Sequence, residues 1–198
     1  VHASGGAAVR RTLDALEAAQ KANGPRASRH RIDHVEVMHL DDLPRLSELG
    51  IVASLQPGHA PLGHIFPPDG VTNYLHPDQI AGAYAWQTIR ESGAKVVFST
   101  DWPVIPVDVM RTIKAAIAPL DLGKGWTDQS QSLEDTLASY TRDNAWVEFA
   151  EDTRGRLKPG MDADVAVLSH DLTQLPPAQI TDANARATIM GGELTFQR

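Results

Sequence analysis

Apolar and polar positions along this chain switch between two periods, and the switching predicts strands alternating with helices. Val1-His2-Ala3 reads as the end of a strand, and Ser4-Gly5-Gly6 turns the chain. From Ala7 to Ala22, Val9, Leu13 and Leu16 recur at helical spacing with charges on the other face, and Asn23-Gly24-Pro25 stops the helix. Arg31 to Val37 reads as a strand. Its period of two puts Ile32, His34 and Glu36 on one face and Asp33, Val35 and Val37 on the other. Asp41-Asp42 caps a short helix with Leu43, Leu46 and Leu49 inward, closed by Gly50. Ile51 to Gln56 is the next strand, ended by Pro57.

Residues 57–77 then read as a long irregular loop carrying five of the thirteen prolines and His59, His64 and His76. Loops of that length in compact domains are functional or disordered. A helix is expected from Pro77 to Glu91, a strand over Lys95 to Phe98, and another helix over Val107 to Ala118. Strand–helix alternation of this kind predicts an α/β fold with a parallel sheet. After a polar stretch, Ser132-Leu133-Glu134-Asp135 resembles a capping box with Asp in place of Glu, and it should open a long helix over Leu133 to Phe149. The character changes near Glu151 to Gly155. Beyond it come a turn-rich segment, a strand at Val165 to Leu168 and a hairpin over Ala187 to Phe196 around Gly191-Gly192. The division expected is 1–153 and 154–198, the second a small β piece.

Composition narrows the class. The 198 residues are 42% apolar and 22% charged, enough for one core or one domain with an appendage. Net charge is −7 with scattered arginines, so no nucleic-acid footprint is expected. No apolar run approaches the roughly 18 residues that span a bilayer, so no membrane partner is expected either. There is no cysteine and no visible signal peptide, which points to the cytoplasm. The first residue is Val1, without an initiator methionine, as in a piece of a longer chain.

The chemistry gathers at strand ends. Lys95-Val96-Val97-Phe98 leads through Ser99-Thr100 to Asp101, and Trp102-Pro103 halts the strand there, because proline cannot donate to a ladder. Asp101 then either faces a pocket or caps the turn into the next helix. His2, His34 and the Gln56-Pro57-Gly58-His59 corner fall at equivalent ends of the other strands. In a (β/α)8 barrel that face carries the active site. Four strand–helix units make half a barrel, strands five to eight if the order holds. His30, His39, His64, His76 and His170 are expected to face solvent or pack locally. Trp86 and Trp146 are expected in the core, and Asp164 at a backbone contact where its strand begins.

Taken together, His2-Ala3-Ser4-Gly5, Arg31-Ile32-Asp33-His34-Val35-Glu36, Ser54-Leu55-Gln56-Pro57-Gly58-His59 and Ser99-Thr100-Asp101-Trp102-Pro103-Val104 resemble the amidohydrolase superfamily. The branch they resemble is that of the N-substituted formamide deformylases. The resemblance implies a (β/α)8 barrel and, over Gly155 to Leu168, a return to a β-sandwich built from both chain ends. It implies His2 and His34 as metal ligands on the fifth and sixth strands. Asp101 would be the ligand closing the eighth strand and the acceptor of the attacking water's proton. His59 would line the substrate pocket and polarise the carbonyl, and Trp102 beside Asp101 would limit water access. The cofactor implied is a divalent metal, zinc foremost, as one or two ions.

Three departures stand out. Gly6 occupies a position where such proteins carry Asp, and the His-x-His pair and the bridging ligand of earlier strands are absent. The activity implied is hydrolysis of a small amide-like substrate at a C–N bond other than a peptide bond. It needs a metal because metal-bound water ionises near pH 7 and the metal polarises the carbonyl. A cyclic amide, a deaminated base or a phosphoester remain alternative substrates. The other reading is a catalytically silent half-barrel that pairs with itself or with a missing N-terminal half, since open sheet edges invite pairing.

Overall fold

The structure is a computed structural model that describes residues 1–61 and 73–198. His64 and most of the proline-rich loop lie outside the described residues. Four short strands, β1 (His2–Ala3), β2 (Arg31–His34), β3 (Val52–Leu55) and β4 (Val96–Phe98), form one sheet in the order β1-β2-β3-β4. Every pairing in it is parallel, as strand–helix alternation predicts. Strand β3 is buried at all four positions and β4 at all three, which is why both read as continuous apolar runs. Helix α1 (Gly6–Asn23) buries Val9 and Leu13, and α2 (Leu43–Glu48) buries Leu46. With Ile32, Leu46, Ala53, Ile89, Val96 and Phe98 they form the main core. The chain is an α/β protein.

Three boundaries differ from the sequence expectation, each for a tertiary reason. The second strand ends at His34 rather than Val37, because Val35 and Val37 turn to donate to Ala3 O (3.0 Å) and Ser4 O (2.9 Å). The helix expected from Pro77 is a 3-10 turn at Ile80–Gly82, and α3 (Trp86–Glu91) begins only later. Between them Ala83 bridges Val37, and Tyr84 N donates to Glu36 O at 2.7 Å. Gly82 is required there, since a Cβ would run into Met38 O. Buried Gln129 then caps α3, accepting from Gln87 N and Thr88 N at 2.9 Å.

The third difference is the long helix after Ser132, which breaks at Thr141 (φ −125°, ψ −87°) into α5 (Leu133–Tyr140) and α6 (Arg142–Val147). Asn144 Nδ2 donates to Phe98 O (2.9 Å) and Ser139 O (2.8 Å), so the second half turns to dock on β4. Ser132 does cap α5, its Oγ accepting from Asp135 N at 3.0 Å and donating to Asp135 Oδ2 at 2.8 Å.

Helix α4 (Val109–Ile117) carries Ile113, which packs with Leu172, Ile180 and Ala183 of the C-terminal segment. Strands β5 (Val165–Leu168), β6 (Ala185–Met190) and β7 (Glu193–Gln197) make a separate antiparallel sheet. The last hairpin turns on Gly191 and Gly192, both at positive φ as a two-residue primed turn requires. Asp164 accepts from Gly191 N at 2.8 Å. No helix among the described residues is long and apolar enough to cross a membrane.

Candidate metal centre

The carboxyl ends of the parallel strands carry the candidate site. β2 stops with His34 at φ 82° and Val35 at φ 47°, and the chain beyond β4 places Asp101 at φ 57°. L-residues avoid this left-handed region, β-branched ones above all. Such strain persists where surrounding contacts over-determine it, and it concentrates at functional sites. Here it re-aims the side chains of His34 and Asp101 away from the alternation of an ordinary strand.

His59 arrives by a different route. Pro57–His59 form a 3-10 turn directly after β3, and Ile105 and α4 close over it. A Cβ on Gly58 would run into Ile105 Cδ1 and lie 2.9 Å from Thr112 Cγ2. His59 is accordingly only 4% exposed.

The three residues meet. One donor atom from each of His34, His59 and Asp101 lies within 4.8 Å of the other two. His59 Nε2 is 3.6 Å from Asp101 Oδ2, and the rings of His34 and His59 stack with centroids 5.7 Å apart. His2 reaches the cluster through His34, its Nδ1 standing 2.7 Å from His34 Nε2. Trp102 follows Asp101 in sequence and is 68% exposed.

Whether a cation fits can be judged from the polar atoms. His34 Nδ1 and His59 Nε2 are buried without a hydrogen-bond partner. An orphaned buried polar group costs about 1–3 kcal/mol. Of the two, His59 Nε2 stands 3.6 Å from Asp101 Oδ2, and imidazole with carboxylate is a donor set that zinc and its neighbours accept. The residues fit the group.

The sequence model of the amidohydrolase family matches residues 1–196. The chain belongs to the amidohydrolase family. This amidohydrolase chain is 28% identical over 204 residues to the Bacillus subtilis (strain 168) protein YtcJ, an amidohydrolase by name, covering 100% of the chain and 37% of YtcJ. It is 29% identical over 200 residues to the Arabidopsis thaliana protein LONG AFTER FAR-RED 3, covering 99% of the chain and 33% of that protein. It thus spans about a third of the length of these curated relatives. An uncharacterized metal-dependent hydrolase from Pyrococcus furiosus superposes with a TM-score of 0.66 at 31% identity, over 82% of this chain and 31% of that one. An amidohydrolase from Thermotoga maritima MSB8 shares the fold, with a TM-score of 0.65 at 22% identity over 100% of this chain and 43% of that one.

Around the cluster the amidohydrolase chain supplies further polar groups. Glu36 Oε1 lies 3.0 Å from His59 Nδ1. Gln56 Nε2 donates to Ser99 Oγ at 3.0 Å, while Gln56 Oε1 is buried without a partner. Tyr84 (φ 47°) is buried beside them. Burial pushes its phenol well above the usual range and the Glu36 carboxylate adds to this, so Tyr84 stays protonated. Glu36 carried no role in the sequence reading, although period two had put it on the same face as His34. His59 had been expected to line the substrate pocket, and the structure seats it inside the donor cluster.

Proposed function

We propose that the whole protein is a metal-dependent hydrolase of C–N bonds of amide type other than peptide bonds, and that this chain supplies part of its site. The observation that carries the reading is the convergence of His34, His59 and Asp101, with His59 Nε2 buried and unpartnered beside the Asp101 carboxylate. The metal-dependent hydrolase from Pyrococcus furiosus among the solved structures supports it. A divalent cation at this donor set, zinc foremost and as one or two ions, supplies Lewis acidity toward the substrate carbonyl and ionises water near neutral pH. His34 and His59 would hold it through neutral nitrogens, with His2 joined through His34. Asp101 would share the cation and, through a carboxylate oxygen, take the proton of the attacking water and hand it to the leaving amine. Trp102 offers an exposed aromatic face to a small amide-like substrate. An N-substituted formamide is the first to test, since the motifs resemble that branch.

The same reading takes β1 to β4 as strands five to eight of a (β/α)8 barrel over residues 1–153, with 154–198 as a segment of a β-sandwich. The relatives' greater length supports it, because further ligands would come from the remainder. No nucleic-acid partner and no membrane partner are proposed, and the absence of cysteine suits a cytoplasmic setting.

The test uses the full-length protein purified without chelator. Mass spectrometry should find at least stoichiometric metal, and its absence would end the reading. Asp101→Asn should lower turnover of an N-substituted formamide by about 10²–10⁴-fold while metal content falls far less. Undiminished turnover would remove Asp101 from proton transfer. The second reading, a silent module that pairs with itself, is favoured by one observation: among the described residues no further strand pairs with the outer edges of β1 and β4.

A further inference from the structure

We propose that Glu36 is a positioning residue that fixes the tautomer of His59 and so presents Nε2 as a bare lone pair to the centre. The proposal deepens the metal reading above. Its tautomer part stands on hydrogen-bond geometry alone.

A neutral imidazole carries one proton and places it where an acceptor waits. His59 has carboxylates on both sides. Glu36 Oε1 is 3.0 Å from Nδ1, within hydrogen-bond length, whereas Asp101 Oδ2 is 3.6 Å from Nε2, beyond it. The proton therefore sits on Nδ1 and is donated to Glu36, and Nε2 is left without a hydrogen, buried and unpartnered. The ring has little freedom to choose otherwise. Gly58 is pressed between Ile105 and Thr112, and the His34 ring stacks on the other side with an interplanar angle of 21°.

Glu36 itself is held by its backbone, its carbonyl accepting from Tyr84 N at 2.7 Å. Val35 before it is locked at φ 47°. Carboxylate, imidazole and cation in line is a recurrent way of orienting a ligand and raising its basicity. The consequence is specific. With Nε2 bare, His59 cannot donate a hydrogen bond to a substrate carbonyl, so its place is with His34 and Asp101 rather than in the substrate pocket.

The experiment reads the tautomer directly. Full-length protein with 15N-labelled histidine, metal-free and well above the usual histidine pKa of about 6.5, is compared with Glu36→Met and Glu36→Gln by long-range 1H–15N NMR. In the wild type His59 should be protonated at Nδ1. Glu36→Met keeps the length and loses the acceptor, so the proton should move to Nε2. Glu36→Gln keeps an accepting oxygen, so Nδ1–H should remain. A wild-type His59 protonated at Nε2, or a tautomer unmoved in Glu36→Met, would overturn the proposal.

Zinc affinity by chelator competition is the second readout. Glu36→Met should lose about 10–100-fold and Glu36→Gln less. Equal affinity in wild type and Glu36→Met would overturn the presenting role. A wild type with the expected tautomer that binds no zinc would overturn the metal reading and uphold the tautomer.

Discussion

Gly58 couples the candidate metal centre to the packing behind it, so a single methyl group there should be felt in two measurements. The Cβ of Gly58→Ala would meet Ile105 Cδ1 and Thr112 Cγ2, and those two residues are 3% and 1% exposed. Neither can swing into solvent. Overpacking of this kind costs about 1–3 kcal/mol. Either those two side chains or the turn Pro57–His59 must give way, and His59 moves with the turn. Thermal unfolding should show the loss of stability, and zinc affinity should fall with it. A variant as stable as the wild type with unchanged affinity would mean that the turn has slack the structure does not show. Sequence alone conveyed part of this: Gln56-Pro57-Gly58-His59 was legible as a corner after a buried strand. That His59 turns inward to Asp101 was not, since it depends on Ile105 and Thr112, 46 and 53 positions further on.

At the scale of elements, helix α1 begins poorly. Gly5 is its N-cap without a side-chain bond, and no acidic residue stands in its first turn. Gly6 has room for a side chain, with no neighbour nearer its hypothetical Cβ than 3.6 Å. Gly6→Asp should therefore stabilise the protein, through a less costly backbone and a favourable charge at the helix N-terminus. The gain should be about 0.5–1 kcal/mol, read as a Tm rise of about 1–4 °C.

Another joint links the entry of β2 to the end of α6. The Arg29 guanidinium carbon lies 4.3 and 4.1 Å from the ring centroids of Trp146 and Phe149, and its nitrogens bond both Glu151 oxygens at 2.5 and 2.8 Å. That guanidinium holds the Glu151 carboxyl below its usual range. A carboxylate with a lowered folded-state pKa stabilises above the unfolded value of about 4.3, and the contribution fades as pH falls through the lowered one. The Tm difference between wild type and Glu151→Gln should thus be positive at neutral pH and close below that window. A pH-independent difference would refute the linkage. The parallel β/α pattern was legible because apolar runs and stop signals are local. The break at Thr141 and the shortened helix at Trp86 were not, because Asn144 reaching Phe98 O and Tyr84 reaching Glu36 O are tertiary bonds that local pattern does not encode.

At the scale of the molecule, the two sheets are in unlike states. The parallel sheet is enclosed by helices at its centre, with Val52, Ala53, Val96 and Val97 each at most 1% exposed. The antiparallel one leaves Val167, Met190, Leu194 and Phe196 between 45% and 67% exposed, and every position of β7 faces solvent. By the pairing register Leu194 stands across from Ile189 and Met190 across from Glu193, so exposed apolar side chains fall on both faces of a three-stranded sheet that is marginal by itself. Among the described residues no further strand pairs with the outer edges of β1 and β4. A preparation consisting of these 198 residues alone should consequently self-associate, with larger species at higher concentration in multi-angle light scattering. Charging the outer strand with Leu194→Lys and Phe196→Lys should shift the distribution toward monomer if the antiparallel sheet is the contact. The distribution should stay as it was if the barrel edges are, and charged substitutions on β1 or β4 would then act instead. A concentration-independent monomer that binds no fluorescent apolar dye would count against both, and would mean that the exposed strands satisfy one another within a single chain.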